Sequence, residues 1–283
     1  MKENKEYRDA FLERDYTNKL LILYEDGENL SPPSIFEPKA EIIGFGKMSI
    51  QGVSIFVNLD GLRMLVDTTT DVSILKNNTR VLGIDPASID VMLLTHVHFD
   101  HVHAYKFPLT QSPEMRVYGP MTKRWLLDND PWMNPPISEE MLAGYMCVED
   151  WAEVGPGVWM ITTESFVSDH LPFSPVKETT LVIESNEGLI LVTGDCHPSP
   201  ARIIDKAKAV TGVDSVYLLA GGTSLVWLSD AAMSVLVDQI HERRVKKLAP
   251  VHTSGDAAKE YMAGLWGDDL ISAATGTVID IPV

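Results

Sequence analysis

The sequence predicts an α/β fold: two packed sheets in one pseudo-symmetric domain. Three observations carry this. A hairpin, a helix and a short apolar strand follow one another, and the same order recurs later in the chain. Each hairpin ends at an aspartate, Asp67 and Asp195. The interval from that aspartate to the next strand is similar, 24 and 21 positions. One supersecondary order used twice fits two packed halves better than two unrelated domains.

The chain opens on MKENKEYRDAFLERDY, charged throughout and without the apolar stretch of a secretory signal, so a cytoplasmic location is the expectation. Residues 1–36 read as an N-terminal extension holding one strand, KLLILYE, before the SPPS break. The domain is placed at 37–283. Its first hairpin is VSIFVNLDGLRMLVDT (53–68), two apolar runs joined through Asp60-Gly61. A helix is predicted over 71–82 and a strand at VMLLT, 91–95. The segment 108–150, rich in Pro, Trp and Met, breaks the pattern and reads as loops with one or two helices, either buried or forming a cap. The second hairpin is TTLVIESNEGLILVTGD (179–195), followed by a helix over 199–210 and the strand VYLLA, 216–220.

Composition narrows the function classes. The 283 residues are 45% hydrophobic, enough for a sizeable core, and no run is apolar enough to span a membrane. With 23 basic against 40 acidic residues the formal charge is −17, so a phosphate backbone would find few cations and nucleic acid is not expected as a partner. Two cysteines, Cys147 and Cys196, do not suggest a disulfide framework. The expected partner is a small-molecule substrate, and an apolar cap leaves room for a homo-oligomer.

The chemistry concentrates in THVHFDH, residues 95–101. If extended geometry persists beyond VMLLT, alternate side chains share a face. His96 and His98 then grip one ion, while Asp100 and His101 turn to a neighbouring one. Imidazole and carboxylate suit zinc, iron or manganese, and the absence of thiolates argues against a zinc finger.

This motif resembles the His-x-His-x-Asp-His signature of the metallo-β-lactamase superfamily, and the likeness runs from about residue 20 onwards. The resemblance implies an αββα sandwich of two similar halves and two divalent metal ions, zinc before iron or manganese. It implies further ligands: His170 in SDHLPFS, Asp195 in VTGDCH and His252 in LAPVHTSG. His96, His98 and His170 would form one site, Asp100, His101 and His252 the other, with Asp195 bridging. Asp67 in LVDT stands where the family has an aspartate that orients ligands. Asp100 would also handle a proton in catalysis. Finer features, LLAGGTSL and LILVTGDCHPSP among them, resemble the branch of the dihydropterin–ribofuranosyl-aminobenzene phosphate synthases. Val97 and Asp195-Cys196 depart from that branch's Gly-His and Gly-Cys-Ala-His-Pro.

The implied activity is metal-dependent hydrolysis of a small ester, lactone or phosphate-containing molecule by a hydroxide shared between the ions. A condensing synthase of the pterin type, a di-iron oxidoreductase and a non-catalytic binding protein are the alternatives. Di-iron members carry a glutamate where this chain has His98. His197 reads equally as a support or a substrate contact. His103 is read as a loop or pocket residue, Cys196 as packing and His241 as surface.

Overall fold

A computed structural model of the chain describes residues 15–26, 52–123, 139, 143–165 and 177–283. The first sheet comprises β1 (Lys19–Glu25), β2 (Val53–Leu59), β3 (Leu62–Val66), β4 (Val91–Leu93), β5 (Arg116–Gly119), β6 (Tyr145–Cys147) and β13 (Val278–Asp280). Its strand order is β13-β1-β2-β3-β4-β5-β6. The second comprises β7 (Trp151–Gly155), β8 (Val158–Glu164), β9 (Lys177–Ser185), β10 (Gly188–Thr193), β11 (Val216–Gly221) and β12 (Val245–Pro250), in the order β12-β11-β10-β9-β8-β7.

The period of two along each strand explains the layering. Leu20 and Ile22 of β1 face the space between the sheets, whereas Leu21 and Leu23 face a helical layer. Between the sheets, Val53, Ile55 and Val57 of β2 share one core with Leu181 and Ile183 of β9 and Ile190 and Val192 of β10. Outside the first sheet, Leu65 and Met92 pack with Leu75 and Leu82 of α1 (Val72–Leu82) and with Phe107 of α3 (Lys106–Gln111). Outside the second, Val182, Leu189 and Leu191 meet α4 (Pro200–Thr211), α5 (Asp230–Glu242) and α6 (Asp256–Trp266). The chain thus forms the expected α/β sandwich of four layers.

Local chemistry sets the boundaries. Asp60 and Gly61, both at positive φ (47° and 90°), close the first hairpin in the geometry that matches strand twist. Asp71 caps α1 by accepting from the Ser73 N–H, and Gly83 ends that helix in the left-handed conformation. Ser199 and Pro200 open α4, and Gly212 closes it in the same way.

In each half an antiparallel hairpin is extended by parallel strands: β3–β4–β5–β6 in one, β10–β11–β12 in the other. Parallel strands present their C-terminal ends along one edge, where ligand sites of such sheets form. Three features differ from the expectation. β1, assigned to the extension 1–36, lies inside the first sheet between β13 and β2. Segment 108–150 contributes β5 and β6 to that sheet rather than loops and helices alone; residues 124–138 and 140–142 lie outside the described set. β4 ends at Leu93 instead of Thr95. No helix among the described residues is long and apolar enough to cross a membrane.

Candidate metal centre

The donors leave three strand ends. After β4 the ladder breaks because the Thr95 N–H donates to Asp67 Oδ1 (2.8 Å) rather than to a strand. His96 and His98 sit on the resulting bend, and Asp100 and His101 on the single turn α2 (Phe99–Val102). Alternation therefore does not place them, contrary to the sequence expectation. A bend and a helical turn do. Asp195 and His197 follow β10, and His252 follows β12 at the start of a 3-10 turn. Asp67, Cys196 and His252 hold positive φ (58°, 58° and 50°), uncommon for non-glycine residues and concentrated where the chain turns into the site.

Two groups of donors result. His96, His98, Asp195 and His197 each offer an atom, all within 4.8 Å of one another, and so do Asp100, His101 and His252. Asp195 faces both. Its Oδ2 lies 3.5 Å from His96 Nε2 and 3.7 Å from His197 Nε2, yet 3.4 Å from His101 Nε2 in the other group. Its Oδ1 lies 3.3 Å from His252 Nε2, which is also 3.4 Å from Asp100 Oδ2.

Hydrogen bonds on the far side of each ring decide which nitrogen faces inward. Asp67 Oδ2 accepts from His101 Nδ1 (2.7 Å) and from the Thr95 hydroxyl (2.7 Å). That hydroxyl, its proton committed, accepts from His96 Nδ1 at 2.9 Å. Asp26 Oδ1 meets His252 Nδ1 at 2.5 Å, and Glu178 Oε2 meets His197 Nδ1 at 3.0 Å. With Nδ1 carrying the proton, Nε2 keeps its lone pair for a cation. The Nε2 atoms of His96, His101 and His252 are buried without a hydrogen-bond partner. Buried polar atoms without a partner are costly unless something binds them, so the donor set fits two divalent cations.

The charges agree. Burial, then the neighbouring His101 and His197, lower the pKa of His96 to about 3; burial and His197 lower His98 to about 4. These rings are in the neutral, ligating form. Burial opposes charge on His252, but Asp195, Asp100 and Asp26 raise it to about 10. His101 is raised well above its ordinary value against the same penalty by Asp195, Asp67 and Asp100. The carboxylates of the second group thus draw in positive charge, which protons supply when no metal does.

Two glycines make room. A Cβ at Gly194 would lie 2.2 Å from Thr95 Oγ1, and one at Gly222 would lie 2.9 Å from Asp195 Oδ1. Thr253 Oγ1 donates to that same Oδ1 at 2.9 Å.

Six of the seven residues singled out on sequence, His96, His98, Asp100, His101, Asp195 and His252, fall in the two groups. His170 lies outside the described residues. His197, left open on sequence between support and substrate contact, stands in the first group. Asp26, Thr95 and Glu178 were missed. Each is one polar residue beside an apolar run, and the only signal for Glu178 was an acid in the strand pattern of KETTLVIE. His103 stands outside both groups, donating from Nδ1 to the Thr70 carbonyl at 2.6 Å. Cys196 is buried among Val182 and Leu191, and His241 is exposed, edge-on to Trp266.

Residues 50–207 match the model of the metallo-β-lactamase superfamily, more than half of the chain, and the protein belongs to that superfamily. It is similar to the 7,8-dihydropterin-6-methyl-4-(β-D-ribofuranosyl)-aminobenzene-5′-phosphate synthase of Methanocaldococcus jannaschii. The two are 24% identical over 257 residues, 77% of this chain and 84% of the relative. Among solved structures, Tm1679, a metal-dependent hydrolase of the β-lactamase superfamily, superposes with a TM-score of 0.67 at 20% identity, covering 94% of this chain and 99% of that one. The short form of human tRNase Z gives 0.55 at 15% identity, covering 94% and 100%. A diphosphatase of the PhnP family gives 0.53 at 16%, covering 94% and 98%. At such identities these structures show a shared fold.

Proposed function

We propose that the protein is a dinuclear metal-dependent hydrolase acting on a small ester, lactone or phosphate-containing molecule in the cytoplasm. The observation that carries this is Asp195, whose two oxygens face both donor groups within 3.3–3.7 Å. His96, His98 and His197 would hold one cation, Asp100, His101 and His252 the other, with Asp195 shared. His170, expected as the third imidazole of the first site, lies outside the described residues and would stand there as a further donor beside His197. Two divalent ions, zinc before iron or manganese, would supply Lewis acidity and a water of lowered pKa.

The chain supplies position and proton handling. Asp67, Thr95, Asp26 and Glu178 fix ring orientation before any ligand arrives, so little reorganisation remains at the moment of reaction. Asp100, its side chain 17% exposed against 3% for Asp195, would also take and return a proton at the substrate. The net charge of −17 favours a small substrate over nucleic acid. Condensation of the pterin-pathway type is the second reading, favoured by the synthase relative. Val97 and the Asp195-Cys196 pair, which depart from that branch, weigh against it.

Elemental analysis combined with a panel of ester, lactone and phosphodiester substrates tests the proposal. Two bound metals and turnover of one class are expected, with Asp195→Ala losing a metal and most of the rate. Unchanged metal content and rate in that variant would overturn the shared role. A condensed product in place of a hydrolysed one would select the synthase.

A further inference from the structure

We infer that Glu178 is a positioning residue for the first donor group: its carboxylate locks the turn 195–197 and thereby sets Asp195 and His197 together. This rests on reading the site as a metal centre. Glu178 is fully buried at the start of β9, on the strand face that carries Val182 towards the helices. Its Oε1 accepts from the N–H of Asp195 (2.9 Å) and of Cys196 (2.8 Å). Its Oε2 accepts from the N–H of His197 (2.8 Å) and from that residue's Nδ1 (3.0 Å). Successive N–H groups around a turn make an anion-binding concavity. Here a side chain from another strand fills it. Cys196, in the middle of the turn, is held at φ 58°, a conformation that L side chains adopt only when the surroundings over-determine it.

The consequence reaches the donors directly. One carboxylate fixes the backbone at both Asp195 and His197 and also accepts a hydrogen bond from His197 Nδ1, keeping the proton on that nitrogen. The Nε2 lone pair is thereby left facing Asp195 Oδ2, with the ring 4.5 Å from that of His96 and 4.7 Å from that of His98, centroid to centroid. Neutral amides cannot reproduce this. Four hydrogen bonds converge on two acceptor oxygens, and a glutamine offers one oxygen and an NH2 that would face donors.

The test is cobalt(II) titration of the full chain, freed of metal by chelator, with Glu178→Gln, His197→Ala and the double variant beside the wild type. Glu178→Gln should weaken the first group's affinity by about 10–100-fold and alter the cobalt absorption bands, as losing a ligand's orienting partner does. The second group should be affected less. The double variant should lose less than the sum of the two single losses, because Glu178 acts partly through His197, and its loss beyond that of His197→Ala reports the hold on Asp195. A residue that only stabilised the fold would lower the thermal midpoint yet leave affinity and bands of the folded protein unchanged, and that result overturns the inference. If Glu178→Gln does not fold, Glu178→Asp, which keeps the charge but shortens the reach, is read by the same affinity and bands. Failure of the wild type to take up cobalt would instead overturn the metal centre itself.

Discussion

Replacing Asp67 by asparagine conserves shape but removes an acceptor, and the structure says what must follow. Three donors converge on this fully buried carboxylate: His101 Nδ1 at 2.7 Å, the Thr95 hydroxyl at 2.7 Å and the Thr95 N–H at 2.8 Å. Asparagine offers only one oxygen. If its NH2 takes the Oδ2 position, it confronts His101, which must move its proton to Nε2. That nitrogen, 3.4 Å from Asp195 Oδ2, then has no lone pair for a cation. Loss of such an orienting partner weakens metal binding about 10–100-fold, or about 1.4–2.7 kcal/mol. If the NH2 takes the Oδ1 position, it confronts the Thr95 N–H and leaves a buried donor unsatisfied, costing about 1–3 kcal/mol of stability. Competition against a chromophoric chelator measures the first outcome, and the thermal midpoint of the metal-free protein the second. Asp67→Asn with both quantities at wild-type values would refute the hydrogen-bond logic on which the site's preorganisation rests.

Three further outcomes are expected. Gly194→Ala pushes a methyl to 2.2 Å from Thr95 Oγ1, so it should destabilise by about 1–3 kcal/mol in chemical denaturation and reduce metal content together. His197→Ala should lose metal from the first group by elemental analysis; full metal content in that variant beside a loss in His170→Ala would make His170, and not His197, the third imidazole there. Because His252 of the metal-free protein is protonated at neutral pH, its pKa raised to about 10, metal uptake there should release a proton. Apparent affinity should then rise with pH below that value, about tenfold per unit for each proton displaced, which titration calorimetry in buffers of different ionisation enthalpy will detect.

Local signals made much of this architecture legible. The turn Asp60-Gly61 and the alternating runs either side of it announce β2 and β3, and the helix α1 begins and ends within a residue of the expected span. The donors of THVHFDH were equally plain, since so many metal-binding groups in seven positions need no partner elsewhere to be noticed. What stayed hidden depends on distance along the chain. β1 pairs with β13 from the far end of the sequence, and no local pattern encodes that. Asp26 meets His252 across 226 positions. Glu178 looks like an ordinary strand residue until the turn after β10 folds over it. The extension of the first sheet by β5 and β6 was masked because these strands are short, four and three residues, and set in a Pro-rich stretch.

The way Asp195 stands between donors from both halves also bears on how the chain reaches its native state. His96 and His98 precede Asp195 by 99 and 97 positions, and His252 follows it by 57. Two cations sharing Asp195 would act as rivets, tying segments whose unaided closure is entropically expensive. Metal loading would then follow the meeting of both halves. Chelation should loosen the two halves from one another before it melts either one.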